Sequence, residues 1–438
     1  MKPFYLTLVL LAAQPACAQL VNHVVGQVNT VTRQLDMTTQ HIRQQTERDL
    51  ERLKPGADKL LANTTQTLRI LAKLPEQLPI VNSAGKTLFI EVEVENGWRA
   101  LQREWLITLD EDELTSLQKL PVEILEKNHF AELGITLVRF RVPPELDSLA
   151  ALKQQLPEAM GRRLDRNHIY SSQAGNNSAS TDVQVLSACG LPVKIGMIDT
   201  AIQLTHPAFS QAIEAGRIHT QHFLEQELKE PDAHGTAVAG LLMGTDKSLT
   251  PLLPRATLYA ASVFYSRNQS AQGASMMNLV RALNWLMTEK VSVINMSLAG
   301  PDNQILARVI AKTISNGTAI VAAVGNEGPA APALYPAAYP EVIGVTAVDR
   351  KQKIYRWANR GNQVSFAAPG VSVITASSAG GVSRESGTSM AAPVVTALIS
   401  CELQKTPDIN HAINTLADRA LDLGEPGRDV VFGFGLLK

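Results

Sequence analysis

Three cysteines in 438 residues are too few for a disulfide scaffold or a cysteine-rich zinc module. An excess of either charge is also missing. Forty lysines and arginines face 41 aspartates and glutamates, for a net charge of −1. That balance gives no electrostatic case for nucleic acid or an anionic membrane surface as partner. No apolar run approaches the ~20 residues needed to span a bilayer. What is present is a globular composition, 45% hydrophobic and 18% charged. It can bury a sizeable core and is too apolar for wholesale disorder. At roughly 150 residues per domain, the length allows about three units.

Residues 1–18 read as a secretory signal. Lys2 supplies the positive start, Leu6–Ala13 is apolar except for Thr7, and Ala16-Cys17-Ala18 fits a small-x-small cleavage site. The alternatives are an uncleaved anchor or lipid attachment at Cys17, where Gln14 occupies a position that usually holds leucine. The expected location is therefore exported: secreted, periplasmic or envelope-associated, with no membrane span once the signal is removed. Removal leaves Cys189 and Cys401. In an oxidising compartment such a pair invites a disulfide, and two buried thiols packing as small hydrophobes are the alternative.

Residues 19–80 read as helical, with Val24, Val28, Val31, Leu35 and Ile42 on one face. Residues 81–173 read as α+β. Strands are expected at 86–95, 105–109, 122–127, 136–142 and 167–170, with helices from about Asp110 and over 145–160. The core order is β-α-β-β-α-β, that of the split βαβ, ferredoxin-like unit. Residues 174–185 are small and polar at first, which suits a linker open to proteolysis.

From 186 to 438 the pattern is α/β. Apolar runs recur at 193–198, 257–263, 291–296, 318–324 and 342–348, with helical patterns at 276–287 and 306–314 between. Near-continuous apolar strands alternating with helices predict a buried parallel sheet. Functional residues of such sheets lie beyond the carboxyl ends of the strands.

Three motifs carry chemistry. A strand ends in Ile198-Asp199-Thr200, His234-Gly235-Thr236 opens a small-residue helix, and Gly387-Thr388-Ser389-Met390-Ala391-Ala392-Pro393 opens another. Serine needs a base to become a nucleophile, and histidine has the right pKa. A buried carboxylate then fixes the histidine's tautomer. A helix N-terminus beneath the serine offers free N–H groups to an oxyanion. Pro393 is expected to sit harmlessly in the first turn of its helix.

These motifs resemble those of the subtilisin-type serine endopeptidases, the subtilases, in the order Asp, His, Ser. The resemblance implies Asp199, His234 and Ser389 as a catalytic triad. Ala322-Ala323-Val324-Gly325-Asn326-Glu327-Gly328 resembles the family's oxyanion loop, which makes Asn326 an oxyanion donor beside the Ser389 N–H. Ser297, Leu298, Ala299 and Gly300 resemble the strand that pairs with substrate and walls the S1 pocket. The segment 81–173 resembles the family's chaperone and inhibitor propeptides, with its last strand leading into the cleft. A permanent accessory domain is the alternative. The implied partners are a protein or peptide substrate and the chain's own prodomain as inhibitor, and no cofactor is implied.

Ala201 and Ala237 stand where relatives often have glycine and histidine, neither of them a triad member. The loop 243–254 is short and Asp246 is its only carboxylate, so neither a calcium site nor any other metal site is expected there. His206, His219 and His222 lack zinc spacing, and His206 reads as structural. Leu334 is expected at the floor of S1, favouring a small residue before the cut bond. A peptide-binding scaffold that does not cleave is the alternative function.

Overall fold

The computed structural model describes residues 74–173, 188–225, 228–267 and 271–438. The expected signal segment, the helical stretch as far as residue 73 and the 174–185 linker lie outside these residues.

The N-terminal layer begins with a hairpin of β1 (Gln77–Val81) and β2 (Thr87–Glu93), followed by β3 (Arg99–Thr108). Then come α1 (Leu114–Gln118), β4 (Glu123–Phe130), β5 (Ile135–Arg141), α2 (Leu149–Gln155), α3 (Glu158–Gly161) and β6 (Leu164–Ser172). The strands pair in the order β4-β5-β3-β6, all antiparallel, as a split βαβ unit requires. Alternation puts Trp105, Ile107, Val138, Phe140 and Leu164 on one face, where Leu117 and Leu152 cover them.

Two expectations are corrected here. The helical stretch reaching residue 80 gives way to strand from Gln77. Pro75 and Pro79 deny a helix two N–H groups, and at the sheet edge Ile80 pairs with Phe89 instead. The single helix expected over 145–160 is also broken, because Pro157 holds Leu156 extended between α2 and α3.

The second layer contains β7 (Lys194–Asp199), α4 (Ser210–Glu214), β8 (Ile218–His222), α5 (Ala233–Met243), β9 (Thr257–Ser262), β10 (Tyr265–Ser266) and β11 (Gln272–Ser275). It continues with α6 (Met276–Thr288), β12 (Val293–Met296), β13 (Leu298–Ala299), α7 (Gln304–Ser315), β14 (Ala319–Ala323), β15 (Ile343–Val348) and β16 (Val364–Pro369). The hairpin β17 (Val373–Ala376) and β18 (Val382–Glu385) precedes α8 (Thr388–Lys405) and α9 (Ile409–Arg419). Seven of these strands form a parallel sheet in the order β16-β15-β14-β12-β7-β9-β8. Helices cover both faces, which is why the inner strands read as continuous apolar runs. Ile195, Val238, Leu242, Val394 and Val395 pack on one side, and Ile198, Ile294, Leu283 and Val309 on the other. Cys189 and Cys401 are bonded, S–S 2.03 Å, which ties the segment before β7 to α8.

Residues 75–438 form one compact unit. The N-terminal layer caps two helices of the second layer. The Gln304 N–H donates to Asp165 Oδ2 (2.8 Å) and the Met277 N–H to Asn167 Oδ1 (3.2 Å). These are first-turn donors that their own helices cannot satisfy. Burial pushes the Asp165 carboxyl up to about 6. Beyond these caps, β6 runs on between two strands of the second layer. Ile169 and Tyr170 pair with Ser275 and Ala274 of β11, and Ser171 and Ser172 pair with Ala299 and Leu298 of β13.

Candidate active site

Strands β7, β12 and β14 are neighbours in the parallel sheet, so their carboxyl ends open side by side. Asp199 is the last residue of β7, Ser297 follows β12, and Asn326 follows β14. His234 and Ser389 are each the second residue of a helix, α5 and α8. The topology thus gathers residues that are up to 190 positions apart in sequence, from 199 to 389.

Asp199 is fully buried, and its Oδ1 lies 2.7 Å from His234 Nδ1. That oxygen also accepts the Thr200 N–H at 2.7 Å, and the Thr200 hydroxyl accepts the Gly235 N–H at 2.7 Å. Residue 235 must be glycine for this approach, because a Cβ there would stand 2.3 Å from the Thr200 carbonyl oxygen. Burial works to lower the His234 pKa, but the charge and hydrogen bond of Asp199, with Glu385 nearby, outweigh it and raise the pKa above 6.5. Among the described residues, His234 Nε2 and Asp199 Oδ2 have no hydrogen-bond partner.

Gln173, the residue after β6, occupies the space in front of Ser389. The Ser389 hydroxyl donates to the Gln173 carbonyl oxygen at 2.6 Å. The same oxygen accepts from Asn326 Nδ2 at 2.7 Å. Thr388 fixes the orientation of the Asn326 amide, because its N–H and hydroxyl both donate to Asn326 Oδ1 at 3.0 Å. The Gln173 N–H donates to the Ser297 carbonyl at 3.1 Å. Its side-chain Oε1 accepts the Asn326 N–H at 2.9 Å.

The expectation for Pro393 is corrected. It is the sixth residue of α8, beyond the first turn, and its ring nitrogen cannot donate to the Ser389 carbonyl four residues back. The Ser297 hydroxyl donates there instead, at 3.1 Å. Asn295 Nδ2 donates to Ser297 Oγ (2.9 Å), and the Thr396 hydroxyl donates to Asn295 Oδ1 (3.1 Å). Neither Asn295 nor Thr396 figures among the residues singled out by sequence. The signal for the first was an asparagine inside the apolar run Val293-Ile294-Asn295-Met296.

Leu298 and Ala299 form β13, and Gly300 exchanges two backbone hydrogen bonds with Tyr335 (2.9 and 3.1 Å). Leu334 is buried beside Gly325, and its Cδ1 would stand 2.7 Å from a Cβ at that glycine. The residue whose carbonyl faces Ser389 is Gln173. His206 stays structural: its Nδ1 accepts the Ala208 N–H and its Nε2 donates to the Gly381 carbonyl at 2.7 Å.

The sequence profile of the subtilase family matches residues 190–435, more than half of the chain. The chain belongs to the subtilase family. It is similar to subtilisin DY of Bacillus licheniformis, 31% identical over 263 residues, which is 58% of this chain and 92% of that one. It is 30% identical over 254 residues to the minor extracellular protease Epr of Bacillus subtilis (strain 168). That match covers 57% of this chain but only 38% of Epr, and the match to subtilisin E of the same strain covers 58% of that protein. Among solved structures, fervidolysin from Fervidobacterium pennivorans, a keratinolytic enzyme related to subtilisin, shares the fold with a TM-score of 0.63 at 18% identity. That likeness covers 84% of this chain and 64% of fervidolysin. Among the described residues, no helix of this subtilase is long and apolar enough to cross a membrane.

Proposed function

We propose that the chain is an exported serine endopeptidase, made as a precursor that inhibits itself. The observation that carries this reading is the Gln173 carbonyl oxygen, 2.6 Å from Ser389 Oγ and 2.7 Å from Asn326 Nδ2. A nucleophile and an oxyanion donor converge on one peptide carbonyl. His234 takes the Ser389 proton on Nε2 while Asp199 holds its Nδ1–H. The Ser389 oxygen bonds to the carbonyl carbon, and the oxyanion is held by Asn326 and the Ser389 N–H. The C–N bond to residue 174 then breaks, and His234 protonates the leaving amine. Water hydrolyses the acyl-enzyme by the same steps, with His234 again as base. A protein substrate lies where residues 170–173 lie, along Ser297–Gly300.

In this reading, 81–173 is a removable inhibitor domain, 174–185 the linker and 186–438 the peptidase domain. The two helix caps and the pairing of β6 on both edges supply the hold. Such a segment also templates a slow-forming parallel sheet. Export rests on the signal-like residues 1–18, and the word extracellular in Epr's name is in line with it. Recovery of the mature chain only inside the cytosol would count against export.

The chemistry is tested with a fluorophosphonate probe and an unfolded protein substrate. The proposal expects covalent labelling at Ser389, none in Ser389→Ala, and hydrolysis by the wild type alone. An unlabelled, properly folded wild type that only binds peptide would establish the non-cleaving scaffold instead.

A further inference from the structure

We propose that the cleft selects substrates with tyrosine four residues before the cut bond (P4) and glutamine immediately before it (P1). The chain's own Tyr170-Ser171-Ser172-Gln173 is then a copy of the preferred sequence. This inference rests on the endopeptidase reading above and names its substrate class.

The preference for glutamine rests on its side chain. Gln173 is buried, 6% exposed, and its Oε1 accepts the Asn326 backbone N–H at 2.9 Å. The carbonyl of the same residue accepts the Asn326 side chain at 2.7 Å. Asn326 therefore reads the residue twice, once through the reacting carbonyl and once through the side-chain amide. Leucine or methionine at P1 has similar length but leaves the Asn326 N–H without an acceptor. A site built around a polar partner rejects an analogue that lacks it far better than an apolar pocket rejects a wrong size. Behind that N–H, Leu334 packs on Gly325.

The preference for tyrosine is steric and polar together. Tyr170 is fully buried, and its hydroxyl donates to the Pro301 carbonyl at 3.0 Å. Its ring lies against Gly300, where a Cβ would stand 2.4 Å from the ring's Cδ1. Glycine at 300 thus makes the room, and Pro301 supplies the acceptor that phenylalanine cannot use. Between the two anchors, the Ser172 hydroxyl donates to Gln272 Oε1 at 2.8 Å. Ser171 Oγ lies 3.4 Å from Arg267 Nη1, a longer contact. The serines bring small polar contacts, and the two outer residues bring the fixed ones.

The test uses the full chain after self-processing. Four blocked peptides are compared by kcat/KM: Tyr-Ser-Ser-Gln, Tyr-Ser-Ser-Leu, Phe-Ser-Ser-Gln and Ala-Ser-Ser-Gln, each with a fluorogenic leaving group. The expected order puts Tyr-Ser-Ser-Gln first, ahead of the leucine peptide by about tenfold or more, the effect of one unsatisfied buried donor. The phenylalanine peptide should fall several-fold behind it and the alanine peptide further. Gly300→Ala should erase the tyrosine-over-alanine preference and keep glutamine over leucine. Leucine cleaved as fast as glutamine, or phenylalanine as fast as tyrosine, overturns the inference. If the probe labels Ser389 while that happens, the endopeptidase reading survives and only the specificity fails. Neither labelling nor cleavage of any peptide overturns both.

Discussion

The Ser297 hydroxyl donates to the Ser389 carbonyl at 3.1 Å, the one bond that Pro393 prevents α8 from making for itself. The proline frees the Ser389 carbonyl, and the segment that follows β12 ties it down. Ser297→Ala should leave a buried acceptor unsatisfied and cost about 1–3 kcal/mol of stability. It should also lower kcat for self-cleavage more than it raises KM for peptides, because it loosens the turn that carries Ser389. Urea melts and steady-state kinetics on the same variant check both halves; an unchanged kcat counts against the positioning role.

Asn326→Ala should slow self-cleavage by roughly 10²–10³, the loss seen when one oxyanion donor is removed from a subtilisin. Thr388→Val removes only the hydroxyl that helps orient the Asn326 amide at 3.0 Å and should cost less. Single-turnover processing rates distinguish the two. A Thr388→Val effect as large as that of Asn326→Ala would mean that the asparagine acts only through its position.

The pH profile follows from His234. Its pKa is raised above the ordinary 6.5, and the base of the proposed mechanism must be the neutral ring. Processing should therefore rise with pH, with a midpoint above 6.5. The sign for stability is opposite. The Asp199–His234 pair contributes fully below the unfolded pKa of about 6.5, and that contribution is lost as pH rises through the folded value. Rates measured from pH 5 to 10 decide the first point, and a midpoint below 6.5 would contradict the assignment.

Glu91 of β2 is fully buried among cations and a phenol. Arg267 Nε (2.8 Å) and the Tyr265 hydroxyl (2.6 Å) donate to Glu91 Oε1, and Arg99 Nε donates to Oε2 at 3.0 Å. Glu91→Ala leaves Arg267 buried without its charge partner, a change that costs about 3–5 kcal/mol. The N-terminal fragment should then leave the second layer much faster after cleavage. Fragment retention on a sizing column reads this directly, and unchanged retention would refute it.

Cys189 and Cys401 close a loop with a separation of 212 residues. Replacing both with serine should cost about 2–5 kcal/mol of stability through the freed unfolded chain. Thermal melts with and without reductant check it: reductant should lower the wild-type midpoint toward that of the double variant and leave the variant unmoved.

Much of this arrangement was legible in sequence. Parallel strands buried on both faces are mostly apolar, so 291–296 and 342–348 stood out as runs. The chemistry near Ser389 demands particular residue types, so the motifs were readable. Other features were hidden for physical reasons. The edge strand Ile218–His222 is mostly exposed and polar, so it leaves no hydrophobic pattern. The bond from Ser297 to the Ser389 carbonyl depends on where two segments 92 residues apart meet. The seating of Gln173 at Ser389, 216 positions away, is likewise set by packing rather than by any local pattern.

The most direct test is the intact mass of the full chain, wild type beside Ser389→Ala. The wild type alone should split after Gln173, giving one fragment that ends in Gln173 and one that begins with Ala174. Both chains remaining whole, or both splitting at the same bond, would contradict it.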